Sequence, residues 1–543
     1  MPKSIKLKIP IIAFYIIIFY ATVAQGGYFI ESLIMLNLFF LVFMLCKKEI
    51  VFDYIAIAFL AIFLIMVLST ILLSHSINSA FQELFKYLLY FVAYLYFINS
   101  DSNKDKFEKV FFYALILIMA FGLLGMAGLS PIAGMVRIET GRLQSFLQYA
   151  NTVALLMGVG IFYCTHLFIR DKKKIYIALG LLFFAAIIFT DSRISFAVFL
   201  VAYAAYMFRF VSWKIKVGLI IFTVAVVVFL FITDSRIVRI SIFEPTLVER
   251  YISYFDAISM ISFRPLGIGV GNWQFESLYY QSAPYQVRYI HNAYLQIALD
   301  GGILSLLLWL AAVILTIVKM KRDTVYFYIG FFILATAFWE IHFNFGLVIV
   351  YFSFLLAINR GQVVKKKMPI KIKYIAILPI ILLSALFLSE HQMQRGQALE
   401  QIGNNQEAIL AYRRAHTLNP FNETIYFRYA RLEPDVQRAI KYLETAYAAN
   451  PWNISVITAL AEGHLFAGNF ENSLYYANRL FTIFPYSATN QQFFRYVIDI
   501  GYQNDLIDQQ RHHALHYELE GRVAQKNAAI NPLFRFINED LGY

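Results

Sequence analysis

The chain is dominated by long apolar runs broken by short basic or polar segments. Four of these runs, Ile55 to Leu73, Val110 to Leu129, Ile175 to Phe189 and Val217 to Ile232, contain no ionisable residue. A helix that crosses a bilayer needs about 20 mostly apolar residues, and about thirteen runs approach that requirement, some of them short. The pattern predicts an all-α polytopic membrane protein with about 12 core transmembrane helices and one tethering span. The first stretch, MPKSIKLKIPIIAFYIIIFYATVAQGG, has the basic start and apolar run of a signal peptide. No small-residue cleavage site follows and a second apolar run begins almost at once, so it reads as a retained first span. One run is unusual at its start: RYIHNAYLQIALDGGILSLLLWL, Arg288 to Leu310, sets an arginine, a histidine, an asparagine and two tyrosines just before the apolar part.

The basic clusters give the runs a direction. Lys3/Lys6/Lys8, Lys47/Lys48, Lys104/Lys106/Lys109, Arg170 with Lys172 to Lys174, Arg209/Lys214/Lys216, Lys319/Lys321/Arg322 and Lys365 to Lys373 each fall after an even number of crossings. The positive-inside rule then places all of them, and the N-terminus, in the cytoplasm. The alternate loops, expected outside, are Ser130 to Asn151, the turn TDSR at Thr190 to Arg193, and a long loop from Asp234 to Gln296. Their arginines are isolated. Single arginines are poor topology signals and therefore candidates for binding something.

After residue 389 the character changes. The expected division is a transmembrane domain over 1–389 and an extracytoplasmic helical-repeat domain over 390–543. GNNQEAILAYRRAHTLNPFN, PDVQRAIKYLETAYAANPWN and GNFENSLYYANRLFTIFPYS align, with Pro420, Pro451 and Pro485 spaced 31 and 34 residues apart. That period, with small and aromatic residues on one helix and a proline ending it, resembles tetratricopeptide repeats. Each helical pair in such an array buries its apolar face against its neighbour and leaves a surface for a protein partner. An ordinary helical bundle is the competing reading.

Composition agrees with the pattern. The chain is 60% hydrophobic and only 15% charged, against about 25% charged in a soluble domain. The net charge of +12 is carried by the loop clusters, so it orients the protein and implies no nucleic acid. Cys46 and Cys164 are the only cysteines and make neither a disulfide framework nor a metal-ligand spacing.

A proton-coupled transporter keeps ionisable groups at mid-membrane. Here only Glu340 and His342 approach a span interior, close to its outer end. The polar candidates instead gather at the outer face: Arg142, Arg193, Arg250 and His291, scattered in sequence, all fall on one side by topology. Each has a plainer reading. Arg193 would cap a helix or reach phospholipid headgroups, Arg250 would pair with Glu249 or Asp256, and Tyr294 and Trp273 would be interfacial belt aromatics. Gly267, Gly269 and Gly271 have no strand-turn-helix context for phosphate binding and read as a flexible loop turn.

At these residues the sequence resembles the bacterial O-antigen ligase and O-antigen polymerase family of polytopic membrane glycosyltransferases. The resemblance runs from about Ser130 to Trp309 and rests on His291-Asn292-Ala293-Tyr294-Leu295 followed by Gly301-Gly302 and a span. The loop arginine followed by Pro265-Leu266-Gly267-Ile268-Gly269-Val270-Gly271 matches as well, as does the Ser192-Arg193 turn. The resemblance implies a GT-C-like enzyme of the bacterial plasma membrane with no cofactor. Its donor would be an undecaprenyl-diphosphate-linked glycan, and its acceptor a hydroxyl on a glycan, lipid or protein. By that pattern Arg193 and Arg250 hold the diphosphate, since guanidinium groups bind phosphate oxygens bidentately and stabilise the departing charge. His291 then acts on the acceptor hydroxyl, either taking its proton or only orienting it. Arg142, Asn292 and Tyr294 are further substrate-binding candidates. The outer loops hold no carboxylate cluster with metal spacing, so no metal is expected. The competing functions are a flippase or exporter of the same lipid-linked glycans, a protein O-oligosaccharyltransferase of the same superfamily, and a non-enzymatic membrane anchor for the repeats.

Overall fold

In the computed structural model residues 9–535 are described, except 48, 101–102, 131, 211, 214–215, 219–220, 222–231, 233–242, 321–323, 361–365 and 368–369. The expected span Val217 to Ile232, the start of the long loop and the cluster Lys3/Lys6/Lys8 therefore lie largely or wholly outside the described residues. The protein is an all-α polytopic membrane protein with a helical C-terminal part. Its membrane part comprises α1 (Ile9–Val23), α2 (Ile30–Cys46), α3 (Tyr54–Leu73), α4 (Ile77–Ile98), α5 (Lys104–Met126), α6 (Ala150–Asp171), α7 (Ile175–Phe189) and α8 (Arg193–Phe210). The loop helices α9 (Pro245–Phe263) and α10 (Trp273–Tyr280) follow, then α11 (Ala293–Lys319), α12 (Val325–Ala337) and α13 (Gly346–Asn359). Among the described residues, strand is confined to β1 (Val51–Phe52) and β2 (Lys366–Lys367), paired antiparallel.

Among the described residues, six helices are long and apolar enough to cross a membrane by length and composition: α3, α5, α6, α8, α11 and the helix that leads into the repeats. The buried α4 packs against α2, α3 and α13. It carries Glu83 and Lys86, both buried, beside Asp300 of α11. The expectation that the membrane part holds almost no ionisable group is corrected here. Glu83 and Lys86 form an ion pair, Tyr87 Oη donates to Asp300 Oδ2 at 2.8 Å, and Gln296 Nε2 donates to Asp300 Oδ1 at 3.1 Å. Lys86 offsets Glu83, neutral donors hold Asp300, and the space beside them is about 30 Å³, the scale of a single water.

The two ends of the bundle differ. At one, Lys47 Nζ donates to the Asn99 carbonyl at 2.9 Å, Lys373 Nζ donates to the Lys47 carbonyl at 3.1 Å, and Arg360 lies 3.8 Å from Asp53. The other end carries the isolated arginines and the long loop. That loop is pinned rather than flexible. Gly302, at φ +79°, breaks α11, and Pro265 to Gly271 threads against the break. The Ile268 N–H donates to the Leu299 carbonyl at 2.7 Å and the Ile303 N–H to the Pro265 carbonyl at 2.9 Å. A Cβ on Gly302 would stand 2.6 Å from the Leu266 carbonyl carbon, and one on Gly267 would stand 2.7 Å from the Gly302 nitrogen. Both glycines are thus required by close backbone approach. Gly302→Ala is expected to cost about 1–3 kcal/mol, combining the left-handed φ with the collision. Thermal unfolding in detergent checks this, and an unchanged midpoint would show that the break tolerates a side chain.

The C-terminal part begins inside α14 (Ile377–Gln401), which runs without a break across residues 389 and 390. Its C-terminal half pairs with α15 (Asn405–Leu418), and the Ser389 hydroxyl already donates to the Ala415 carbonyl at 2.8 Å. The pairs continue as α16 (Thr424–Leu432) with α17 (Val436–Ala449), α18 (Ile454–Phe466) with α19 (Phe470–Ile483), and α20 (Ala488–Gln503) with α21 (Gln509–Ala528). The reason is local: Asn404, Asp435, Asn453, Asn469, Ser487 and Asp508 each accept a backbone N–H as N-caps.

The repeats dock on the end of the bundle that carries the long loop. Ser76 Oγ donates to Glu423 Oε1 at 2.7 Å, Asn419 Nδ2 donates to Asn78 Oδ1 at 2.8 Å, and the His75 and Trp452 rings stack at 5.0 Å. The short α22 (Pro532–Arg535) returns to α9: the Asn531 N–H donates to the Ser282 carbonyl at 2.8 Å, and Leu533 and Phe534 pack on the cluster formed by Val248 and Ile252.

Candidate active site

Arg142 arrives from the segment before α6, Arg193 is the first residue of α8, and Arg250 projects from α9. The three guanidinium groups line one cavity of about 370 Å³, together with Asn151, Glu340 and the apolar side chains of Ile194, Val198 and Leu247. The topological expectation that these arginines converge therefore holds in the geometry. The lining therefore mixes cationic groups, the carboxylates Glu340 and Asp191, and apolar side chains.

Glu340, 2% exposed in its side chain, is the hub. Arg250 Nη1 lies 2.9 Å from Glu340 Oε1 and also donates to the Trp339 carbonyl at 3.0 Å. Tyr149 Oη donates to Glu340 Oε2 at 2.7 Å, and Asn151 Nδ2 donates to Glu340 Oε1 at 2.7 Å. Asn151 passes the link onward, its Oδ1 accepting from Arg142 Nη2 at 2.6 Å, while Arg142 Nε donates to the Thr190 carbonyl at 2.8 Å. Burial would raise the Glu340 carboxyl, but Arg250 and His291 outweigh it and hold the group well below the usual carboxylate range. Arg193 pairs with Glu244. Arg250 takes Glu340 as its ion-pair partner, while Asp256 serves the loop by accepting from the Ser282 N–H at 3.0 Å and Tyr285 Oη at 2.8 Å.

His291 is not among the residues that line the cavity and is linked to it through Glu340; its side chain is 23% exposed. Its Nδ1 is 3.6 Å from Glu340 Oε2 and 3.5 Å from Tyr149 Oη, and its carbonyl accepts from Tyr254 Oη. Nε2 has no hydrogen-bond partner among the described residues. The ring is thus held on one nitrogen and open on the other, the arrangement a positioned proton acceptor needs.

Two other expected site residues point elsewhere. Asn292 is buried as the N-cap of α11, its Oδ1 accepting from the N–H groups of Tyr294 at 3.0 Å and Leu295 at 3.1 Å. Tyr294 Oη donates to the Leu334 carbonyl at 2.8 Å and its ring packs edge-on against Trp309. Neither lines the cavity. Their contribution is to fix the start of α11, and with it the neighbouring histidine. Sequence reasoning placed Glu340 near the outer end of a span without giving it a role, and it passed over Tyr149 and Asn151 although both stand close to Arg142 in the same segment.

Residues 177–310 match the family model for O-antigen ligase, and residues 390–432 match the model for the tetratricopeptide repeat. No curated protein matches the chain. The two matches bear out the resemblance read from the sequence, both in family and in architecture. The first match spans Arg193, Arg250 and His291, while Arg142 and Glu340 fall outside it. A central segment of this membrane protein is thus similar to O-antigen ligases, and a helical-repeat extension follows it.

Proposed function

We propose that the protein transfers or polymerises an undecaprenyl-diphosphate-linked glycan onto an acceptor hydroxyl at the outer face of the bacterial cytoplasmic membrane. The observation that carries this reading is the convergence of Arg142, Arg193 and Arg250 on one half-apolar cavity whose carboxylate, Glu340, also holds His291. The basic clusters at the opposite end of the bundle support a cytoplasmic N-terminus, with the long loop and the repeats outside. The two domains, 1–389 and 390–543, then divide within the continuous helix α14.

In this reading Arg193 and Arg250 take the donor diphosphate and neutralise the charge that grows as it leaves. A volume of about 370 Å³ is on the scale of a small-ligand site, which suits the diphosphate and the adjoining sugar rather than a whole glycan. The acceptor oxygen forms its bond to the anomeric carbon as the bond from that carbon to the diphosphate oxygen breaks. The hydroxyl proton passes to His291 Nε2, and Glu340 stabilises the resulting imidazolium. Every step uses side chains of this protein, and none calls for a metal. The repeats, docked beside the same loop, supply a surface for a protein partner or protein-borne acceptor.

The test is reconstitution in vesicles with polyprenyl-diphosphate-linked oligosaccharide and a panel of glycan, lipid and protein acceptors. Wild type is expected to give transferred or lengthened product, and His291→Ala to lower the rate about 100-fold, the usual scale for a positioned acid–base group. Lipid translocation without transfer would instead establish the flippase, and transfer unaffected by His291→Ala would remove the proposed base.

A further inference from the structure

A second constellation lies far from the arginine cavity, on the last repeat pair. His512 and His516 are four residues apart on α21, so both rings leave the same face of that helix. Both rings meet Asp499 of the antiparallel neighbour α20: His512 Nε2 is 3.0 Å and His516 Nε2 2.8 Å from the same carboxylate oxygen, Oδ1. The three donor atoms all lie within 4.8 Å of one another. His513, one residue along, faces Gln509 Nε2 at 3.4 Å and takes no part. The Tyr502 ring, 4.6 Å from that of His512, narrows the orientations the imidazole can take.

We propose that Asp499, His512 and His516 form a binding site for a divalent transition-metal ion of the zinc class, which staples α20 to α21. Zinc binds imidazole nitrogen and carboxylate oxygen at about 2.0–2.2 Å, which sets tetrahedral donors about 3.3 Å apart. The two Asp–His separations need to widen by a few tenths of an ångström, and the two imidazole nitrogens, within 4.8 Å of each other, to settle at the same spacing of about 3.3 Å. Two imidazoles and one carboxylate suit zinc, copper, nickel or cobalt, whereas calcium and magnesium require mostly oxygen donors. The side chains are 19%, 27% and 45% exposed for His512, His516 and Asp499, so an ion can enter and water can fill the remaining coordination position. As it stands, both rings meet one carboxylate oxygen, which can accept from each of them. An ion between them gives each nitrogen lone pair its own bond.

The position gives the staple a consequence. Helix α21 leads into α22, which rests on α9, the helix that carries Arg250. An ion joining α20 to α21 would therefore stiffen the arm that braces the active-site loop.

The experiment uses full-length protein, purified in detergent with a histidine-free tag and stripped of metal, then titrated with cobalt(II). One equivalent is expected to bind with the intense visible absorption of four-coordinate cobalt, and zinc to displace it. The double variant His512→Ala/His516→Ala is expected to weaken binding at least about 100-fold, since removing even outer-shell support costs 10–100-fold. Zinc should raise the unfolding temperature of wild type, because an ion that binds only the folded state stabilises it, and should leave the double variant unmoved. His291→Ala should bind cobalt as wild type does, which separates this site from the arginine cavity. Should the double variant misfold, His512→Gln alone, which keeps a polar side chain at an accessible position, serves the same comparison. Cobalt held equally by wild type and the His512 and His516 variants, or giving only the weak spectrum of the hydrated ion, would overturn the proposal.

Discussion

Glu340→Ala is expected to lower glycan transfer about 1000-fold, further than His291→Ala, within the range that positioned acid–base groups contribute. The carboxylate holds Arg250 at 2.9 Å and stands 3.6 Å from His291, so its loss releases a substrate-binding cation and the proposed base together. It also strands the Tyr149 hydroxyl and the Asn151 amide, which donate to it at 2.7 Å each. Glu340 is in this sense a positioning residue, and the milder Glu340→Gln separates positioning from folding. If Glu340 acts through His291, then Glu340→Gln in a His291→Ala background should add less than about a 3-fold further loss, because residues that act as a unit are strongly non-additive. The pH dependence follows from the sign of the shift. The folded carboxyl lies below its ordinary value, so Glu340 contributes stability that is fully present above the unfolded pKa of about 4.3. That contribution is lost only as pH falls toward the depressed folded value. The stability that this carboxylate gives wild type over Glu340→Gln should thus persist at neutral pH and fade only in acid below the ordinary carboxylate range. Fully additive rate losses, or a stability difference that disappears near neutrality, would remove Glu340 from this role.

The reach of the sequence can be judged from the same residues. Arg193, Arg250 and His291 were readable because counting spans tells which end of the bundle each loop residue occupies, and only a few polar residues share that end. Counting spans does not tell which of them touch. The partner of Arg250 was expected at Glu249 or Asp256, its neighbours in sequence, whereas helix packing supplies Glu340 from the turn after α12. Asn292 and Tyr294 stand beside His291 in sequence but are turned away from the cavity, because the first turn of α11 needs a cap and a hydroxyl of Tyr294 finds the Leu334 carbonyl. The glycines Gly267 and Gly302 carried no sign that they face each other across a broken helix. Repeats were legible for the opposite reason: their contacts are local and periodic, so the caps and terminal prolines declare them one pair at a time. The last pair, α20 with α21, keeps its caps, but the proline that follows it, Pro532, lies 47 residues after Pro485 and outside the period of the others, which is where the spacing argument stops.

The second large effect is expected inside the bundle, from Lys86→Met. Lys86 of α4 is ion-paired with Glu83, donates to Asn344 Oδ1 at 2.8 Å and lies 4.8 Å from the centre of the Tyr289 ring. Glu83 is 3% exposed and Asp300 fully buried, so removing the ammonium leaves carboxylates without their cation where water cannot replace it. Breaking a buried pair from one side costs about 3–5 kcal/mol, a large share of the stability of any domain. Removing both charges with Glu83→Gln/Lys86→Met is expected to restore most of the loss, since a buried pair adds little over a neutral pair of similar size. Unfolding in detergent measures both variants; a single variant within about 0.5 kcal/mol of wild type, the range of ordinary surface changes, would show that the pair is not the constraint. A readout of transfer should follow stability only in part. Asn344 closes the short helical turn His342–Asn344 that begins two residues after Glu340, and the Lys86 hydrogen bond ties that turn to α4 beside the edge-on contact of Phe343 with Tyr90. The neutral double variant should therefore fold and still transfer more slowly than wild type, because the turn that sets the depth of Glu340 has lost that hydrogen bond while the carboxylate itself is intact.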